Sequence, residues 1–219
     1  MKRKAFYGGT FDPVHCGHIT IAKRLLELFS LDEFIFLPAF HAPHKQDNKP
    51  TSGYHRFAML MLASSNEPGM FVSTLELDHA EKRYSVDTLA EIIDMQPDYE
   101  IFFVMGADSW TEIATWRDWE TVLLMTNHIV VTRPGYPISF DHVTDAVRSR
   151  IIDVRRTAAD ASDVVRDGSS PHIYITNAVE LDVSATEIRD DVREDDRLDR
   201  ADDVPPEVAK YIEKYELYR

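Results

Sequence analysis

The chain has 219 residues, with 24 basic and 38 acidic side chains and a formal charge of −14 at pH 7. Its 44% apolar and 28% charged content is globular and excludes a wholly disordered chain. A charge this negative excludes a nucleic-acid polymer as partner, because a phosphate backbone demands a basic face. The single cysteine, Cys16, excludes an intramolecular disulfide and a cysteine-based zinc cluster, and fits a reducing compartment. No run approaches the length of about 18 apolar residues that spans a membrane. The apolar run behind Met1-Lys2-Arg3-Lys4 stops at Gly8-Gly9, too soon for a signal peptide. The expectation is a cytoplasmic protein without a membrane partner, built as a single domain over 1–219 whose last part, about 184–219, is helical.

Apolar runs alternate with helical patterns, which predicts an α/β fold: a Rossmann-like open parallel sheet with helices on both faces and a small C-terminal helical appendage. Residues 5–7 read as a short strand that ends at Gly8-Gly9, and 17–29 as a helix with Ile19, Ala22, Leu25, Leu26 and Phe29 near a 3.6 period. A second strand, 33–37, stops at Pro38; 39–53 has no period and reads as a long loop carrying His41, His44 and Lys45. A helix over 54–65, a strand over 71–75 and a helix over 85–95 follow. The stretch 100–105, apolar from Ile101 onward, reads as a strand buried on both faces, ending at Gly106. Then come a helix-rich stretch over 110–125, a strand over 128–132 closed by Arg133-Pro134-Gly135, a helix near 143–149 and a polar excursion to 168. A last strand, 172–176, precedes helices over 184–192 and 205–217.

The most informative stretch is Gly8-Gly9-Thr10-Phe11-Asp12-Pro13-Val14-His15-Cys16-Gly17-His18, directly after the first strand and opening the first helix. In an open parallel sheet that crevice receives anions, because backbone N–H groups at a helix start face it. Gly8 and Gly9 let the backbone approach a ligand closely. His15 and His18, three residues apart at a helix start, project to one side and suit a triphosphate, which favours their protonated form. The loop is neither GxxxxGK[ST] nor GxGxxG. Two other readings stay open from spacing alone: a Gly-rich turn with two satisfied surface histidines, and a metal site using Asp12, for which no HExxH-like partner exists.

GGTFDPVHCGH resembles the HxGH signature of the nucleotidyltransferase superfamily, and Val183-Ser184-Ala185-Thr186-Glu187-Ile188-Arg189 resembles its second signature, a Ser/Thr-rich turn before an Arg. Within the superfamily the chain is most similar to the bacterial nicotinate-nucleotide adenylyltransferases, through Pro43-His44-Lys45, Arg83-Tyr84-Ser85-Val86-Asp87-Thr88-Leu89, Gly106-Ala107-Asp108-Ser109, Thr115-Trp116, Arg133-Pro134-Gly135-Tyr136 and the ending Leu217-Tyr218. Pantetheine-phosphate adenylyltransferases are usually shorter and carry Thr where His15 stands; the cytidylyltransferases lack the TW and RPGY features.

The resemblance implies transfer of an adenylyl group from ATP to nicotinate mononucleotide, with Mg²⁺ bound through the ATP phosphates and no resident metal. It implies that His18 meets the α-phosphate and His15 its neighbours, assisted by Gly8, Gly9, Thr10 and Phe11, with Lys45 reaching over from the loop. Ser184, Thr186 and Arg189 would hold the β- and γ-phosphates, although Ser184 and Glu187 also read as a capping box. Gly106, Asp108, Ser109 and Arg133 complete the ATP set, with Asp108 on a ribose hydroxyl or simply a helix N-terminal acid. His44, Ser85, Thr88, Trp116 and Arg117 form the nicotinate mononucleotide set: Trp116 stacks on the pyridine ring, or is a core tryptophan, and backbone N–H groups of Ser85 and Arg117 meet the carboxylate. The family often has Thr and Tyr at those two positions, so this chain departs there. Cys16 would point away from the histidines. Nicotinamide mononucleotide or another small phosphomonoester as acceptor, and a catalytically silent nucleotide-binding module, remain as alternatives. A homo-oligomer is compatible with the sequence. The acidity is local: residues 180–207 hold 12 acidic and 4 basic side chains, a net −8.

Overall fold

The structure is a computed structural model that describes residues 1–40, 50–79, 83–132, 137–155, 165, 170–177, 183–195 and 203–219. Seven strands form one sheet: β1 (Lys2–Gly9), β2 (Glu33–Pro38), β3 (Met70–Val72), β4 (Tyr99–Gly106), β5 (Asn127–Val131), β6 (Ile151–Asp153) and β7 (Ile173–Thr176). Their order is β3-β2-β1-β4-β5-β7-β6, and every neighbouring pair is parallel. This is the Rossmann-like open sheet.

The helices are α1 (Cys16–Leu28), α2 (Gly53–Ser64), α3 (Ser85–Met95), α4 (Ala107–Thr111), α5 (Trp119–Met125), α6 (Asp145–Arg148), α7 (Ala185–Asp195) and α8 (Pro206–Lys214). Alternation along the strands sorts the core into two layers, because successive side chains leave a strand on opposite faces. Phe34, Phe36, Phe102 and Val104 join Leu25, Met59, Leu60, Ile188, Val208 and Ile212 on one face. Phe103, Met105, Ile35 and Leu37 join Leu89, Ile92, Trp110, Val122 and Val147 on the other. Helices α7 and α8, the C-terminal helical part, dock through Ile188, Val208 and Ile212 on the face that α1 and α2 also cover. That placement returns the C-terminus to the end of β1.

Strand order reverses between β1 and β4. Tyr7 pairs with Val104, so Gly8-Gly9 and Gly106 leave the sheet side by side at its C-terminal edge. Ligands of open α/β sheets bind in the crevice at such a switch point. The weakly patterned stretch read as a polar excursion contains β6, a three-residue strand pairing with β7 at the sheet's edge. The run 110–125 divides into α4, a 3₁₀ turn (Ile113–Thr115) and α5, broken where Asp118 takes a left-handed φ of 48°.

Candidate functional site

Between β1 and α1 the chain turns sharply. Phe11 adopts φ 51°, and its buried ring packs edge-on to Tyr7 at 5.3 Å and to the His18 imidazole at 5.0 Å. A Cβ on Gly9 would lie 2.8 Å from that ring, so any other residue there would have to displace the buried Phe11 side chain. Phe11, expected among the phosphate contacts, thus spends its side chain on the core and leaves its backbone to the loop.

His15 caps α1 and is 7% exposed; His18, one turn on, is half-buried. Their rings stack with centroids 3.7 Å apart and planes 32° from parallel. The His15 N–H donates to His18 Nδ1 at 3.2 Å. With Nδ1 accepting, the proton of a neutral His18 ring sits on Nε2, which leaves that nitrogen as the donor. A Cβ on Gly17 would meet the His15 ring at 3.0 Å, so Gly17 makes room for the imidazole. Thr10 is half-buried on the same loop.

The second signature reaches this loop directly. From α7, Arg189 donates through Nη1 to the Asp12 carbonyl at 2.7 Å and through Nη2 to the Thr186 hydroxyl at 3.2 Å. Two motifs 177 positions apart are thereby joined. Thr186 is exposed and Ser184 half-buried at the start of α7.

Beneath the loop lies a residue that sequence reasoning missed. Arg56 of α2 is fully buried and donates to the carbonyls of Thr10 (2.6 Å), Ala39 (2.6 Å) and Thr51 (2.8 Å). Burial pushes its guanidinium pKa down, and the nearby Asp12 carboxylate opposes that shift. Its signal was available: Arg56 stands one turn before Met59 and Leu60, on the buried stripe of α2. The Asp12 carboxylate is itself buried, accepting from the Tyr218 hydroxyl at 2.7 Å and the Thr51 N–H at 3.0 Å. Burial, then the Asp12 charge, raise the Tyr218 phenol pKa, keeping it a neutral donor. The carboxylate considered as a metal ligand is thus turned to protein donors. Among the described residues no group of three or more His, Cys, Asp and Glu is arranged to hold a metal ion.

Across the switch, a Cβ on Gly106 would meet nothing within 4 Å, so open space lies beside the end of β4. Asp108 is exposed and Ser109 half-buried on α4. Trp116 packs half-buried against the second core layer. The Arg117 guanidinium lies 5.0 Å over the Tyr84 ring. This contact sets Trp116-Arg117 beside Tyr84-Ser85, two segments that the sequence reading assigned to one ligand. Thr88 is different: it is 1% exposed, and its hydroxyl donates to Glu76 at 3.1 Å. Its side chain braces α3 from inside and does not line an open surface. His44, Lys45 and Arg133 lie outside the described residues.

The profile of the cytidylyltransferase-like family matches residues 6–191. A protein of Desulfatibacillum aliphaticivorans described as probable nicotinate-nucleotide adenylyltransferase is 33% identical over 218 residues, covering 99% of each chain. One so described from Thermoanaerobacter sp. (strain X514) is 34% identical over 218 residues, covering 99% of this chain and 94% of its own. Among solved structures, Plasmodium falciparum nicotinic acid mononucleotide adenylyltransferase complexed with NaAD superposes with a TM-score of 0.72 at 20% identity, covering 100% of this chain and 98% of that one. That likeness carries the fold.

Proposed function

The chain belongs to the cytidylyltransferase-like family and, within it, to the nicotinate-nucleotide adenylyltransferases, and from that premise we propose that it joins nicotinate mononucleotide to ATP, giving nicotinate adenine dinucleotide and pyrophosphate, a step of NAD biosynthesis. The observation that carries this reading is the stacked His15–His18 pair at the β1–β4 switch, tied to the α7 signature through Arg189 and Asp12.

The 5′-phosphate of the mononucleotide attacks the α-phosphorus of ATP, the new P–O bond forms in line with the bond that breaks, and pyrophosphate leaves. The attacking phosphate is already an anion, so the site needs no general base. Its work is to align two polyanions and to meet the charge on the α-phosphate and the leaving group. His18 Nε2–H is the donor to the α-phosphate, and its orientation is supported by the bond that Nδ1 accepts from the His15 backbone. A preorganised donor of this kind contributes about 3–4 kcal/mol in other enzymes. His15, Thr10 and the turn around Gly8 and Gly9 meet the neighbouring phosphates; Ser184, Thr186 and Arg189 take the β- and γ-phosphates. Mg²⁺ enters as part of the substrate, on the ATP phosphates.

Gly106 leaves room for the adenosine portion, with Asp108 and Ser109 on its ribose side. Trp116 stacks on the pyridine ring, and the backbone N–H groups of Ser85 and Arg117 bind the nicotinate carboxylate; the Arg117–Tyr84 contact supports this pairing. Lys45 and Arg133 are assigned to the phosphates, and His44 to the mononucleotide, on the family pattern alone. The substrate pair and the single cysteine favour a cytoplasmic setting.

The test is pyrophosphate release from ATP and Mg²⁺ with nicotinate or nicotinamide mononucleotide supplied separately. Turnover with the acid is expected to exceed that with the amide. Fast turnover with the amide and none with the acid would move the reading to the amide acceptor. Tight ATP binding without turnover on either would identify a silent nucleotide-binding module. His18→Ala is expected to cost about 10²–10³ in kcat. A loss below about tenfold would remove His18 from the α-phosphate.

A further inference from the structure

The last turn of the chain ends against the phosphate loop. After α8 the backbone hooks back: the Leu217 N–H donates to the Ile212 carbonyl at 3.1 Å, and both Glu216 (φ 50°) and Tyr218 (φ 71°) adopt left-handed conformations. A non-glycine residue is strained in that conformation, so something must hold the hook. The hook delivers the Tyr218 hydroxyl to Asp12 Oδ1 at 2.7 Å. Asp12 Oδ2 accepts from the Thr51 N–H at 3.0 Å, and the Asp12 carbonyl accepts from Arg189 at 2.7 Å. One buried residue, three positions before His15, therefore joins the C-terminal tail, the α2 approach and α7.

We propose that Tyr218 is a positioning residue for adenylyl transfer: through Asp12 it holds residues 10–15 in the conformation that presents His15 and His18 to the phosphates. This rests on the adenylyl-transfer reading of the same site. The hydroxyl donates its proton to Asp12 Oδ1. Without it, the buried Asp12 Oδ1 loses its donor, and a carboxylate so exposed to loss rotates or draws in water, which moves the loop backbone on both sides of it. Displacements of about 1 Å at reacting groups cost as much as 10²-fold in rate, so a remote phenol can be worth a measurable share of kcat.

The experiment uses the full chain with Tyr218→Phe, Asp12→Ala, the double variant, and Arg219→Ala as a tail control, each confirmed folded by circular dichroism at the assay temperature. Tyr218→Phe is expected to lower kcat about tenfold while both KM values stay within about threefold. The double variant is expected to be no slower than Asp12→Ala alone, because the phenol acts through that carboxylate. A kcat for Tyr218→Phe within twofold of the unmodified chain, or losses that multiply in the double variant, would overturn the proposal. A second readout needs no turnover: imidazole ¹H–¹⁵N resonances of His15 and His18 are expected to shift in Tyr218→Phe and not in Arg219→Ala. Unmoved resonances overturn the proposal too. An unmodified chain that fails to release pyrophosphate would sink the adenylyl-transfer reading, whereas an active chain indifferent to Tyr218→Phe sinks only the role of the tail.

Discussion

Arg56→Met removes the buried fork that ties three segments together beneath the loop between β1 and α1. The fork makes three bonds of 2.6–2.8 Å to the carbonyls of Thr10, Ala39 and Thr51. Hydrogen bonds from a charged donor contribute about 1.5–3 kcal/mol each. Their sum overstates the net, because desolvation of the guanidinium, visible in its lowered pKa, offsets a large part. Breaking a compensated buried charge typically costs about 3–5 kcal/mol, since it strands the partners; here three carbonyls would lose their donor and the buried Asp12 carboxylate a nearby cation. We expect a loss in that range by urea unfolding at constant m value. Arg56→Lys keeps the charge but has no planar fork to span the three carbonyls, and should fall between the two. Adding Asp12→Asn to Arg56→Met should recover part of the loss, because a neutral amide no longer needs the cation. A loss below about 1 kcal/mol for Arg56→Met would refute the view that this residue holds the loop, because that is less than one such bond.

Other outcomes follow from single contacts. His128, fully buried in β5 with Nδ1 bonded to the Thr126 carbonyl, has its pKa lowered from 6.5 to about 4 by desolvation. Below pH 6.5 the unfolded chain takes up a proton that the folded chain refuses, so stability should fall by about 3 kcal/mol as pH drops to about 4 and level off below it; His128→Leu should flatten that window in pH-dependent urea melts. Gly17→Ala should displace the His15 ring, whose atoms a new Cβ would meet at 3.0 Å, and lower kcat by more than about tenfold with a stability change under about 1 kcal/mol; an unchanged kcat would show that the His15 ring position is immaterial. Arg189→Lys keeps a charge but cannot bond Asp12 and Thr186 together, and should cost more in kcat/KM for ATP than in thermal stability.

The sheet's central strands are legible because their patterns are long and unambiguous: 101–105 is apolar throughout, and β4 is covered on both faces. Helix α3 begins and ends where the period predicts. Three-residue β6 escapes any periodicity argument, since its strand character comes from pairing with β7 and not from its own residues. At the site, the glycines and paired histidines announce themselves because they stand together in one short stretch between the first strand and the first helix. The contacts that hold them do not. Arg56 shows in the sequence only as a cation on the apolar stripe of α2, which does not say what it bonds, and Asp12–Tyr218 joins positions 206 apart through a backbone hook no local pattern encodes. Thr88 illustrates the reverse: it sits within a motif, yet faces Glu76 inside the fold.

Adenylyl transfer from ATP to nicotinate mononucleotide is tested most directly by following the α-phosphorus. With ATP labelled at that atom, Mg²⁺ and nicotinate mononucleotide, the label should appear in nicotinate adenine dinucleotide in step with unlabelled pyrophosphate, and His18→Ala should slow both together. Label released as AMP, or retained in ATP while the acceptor is bound, would contradict the account.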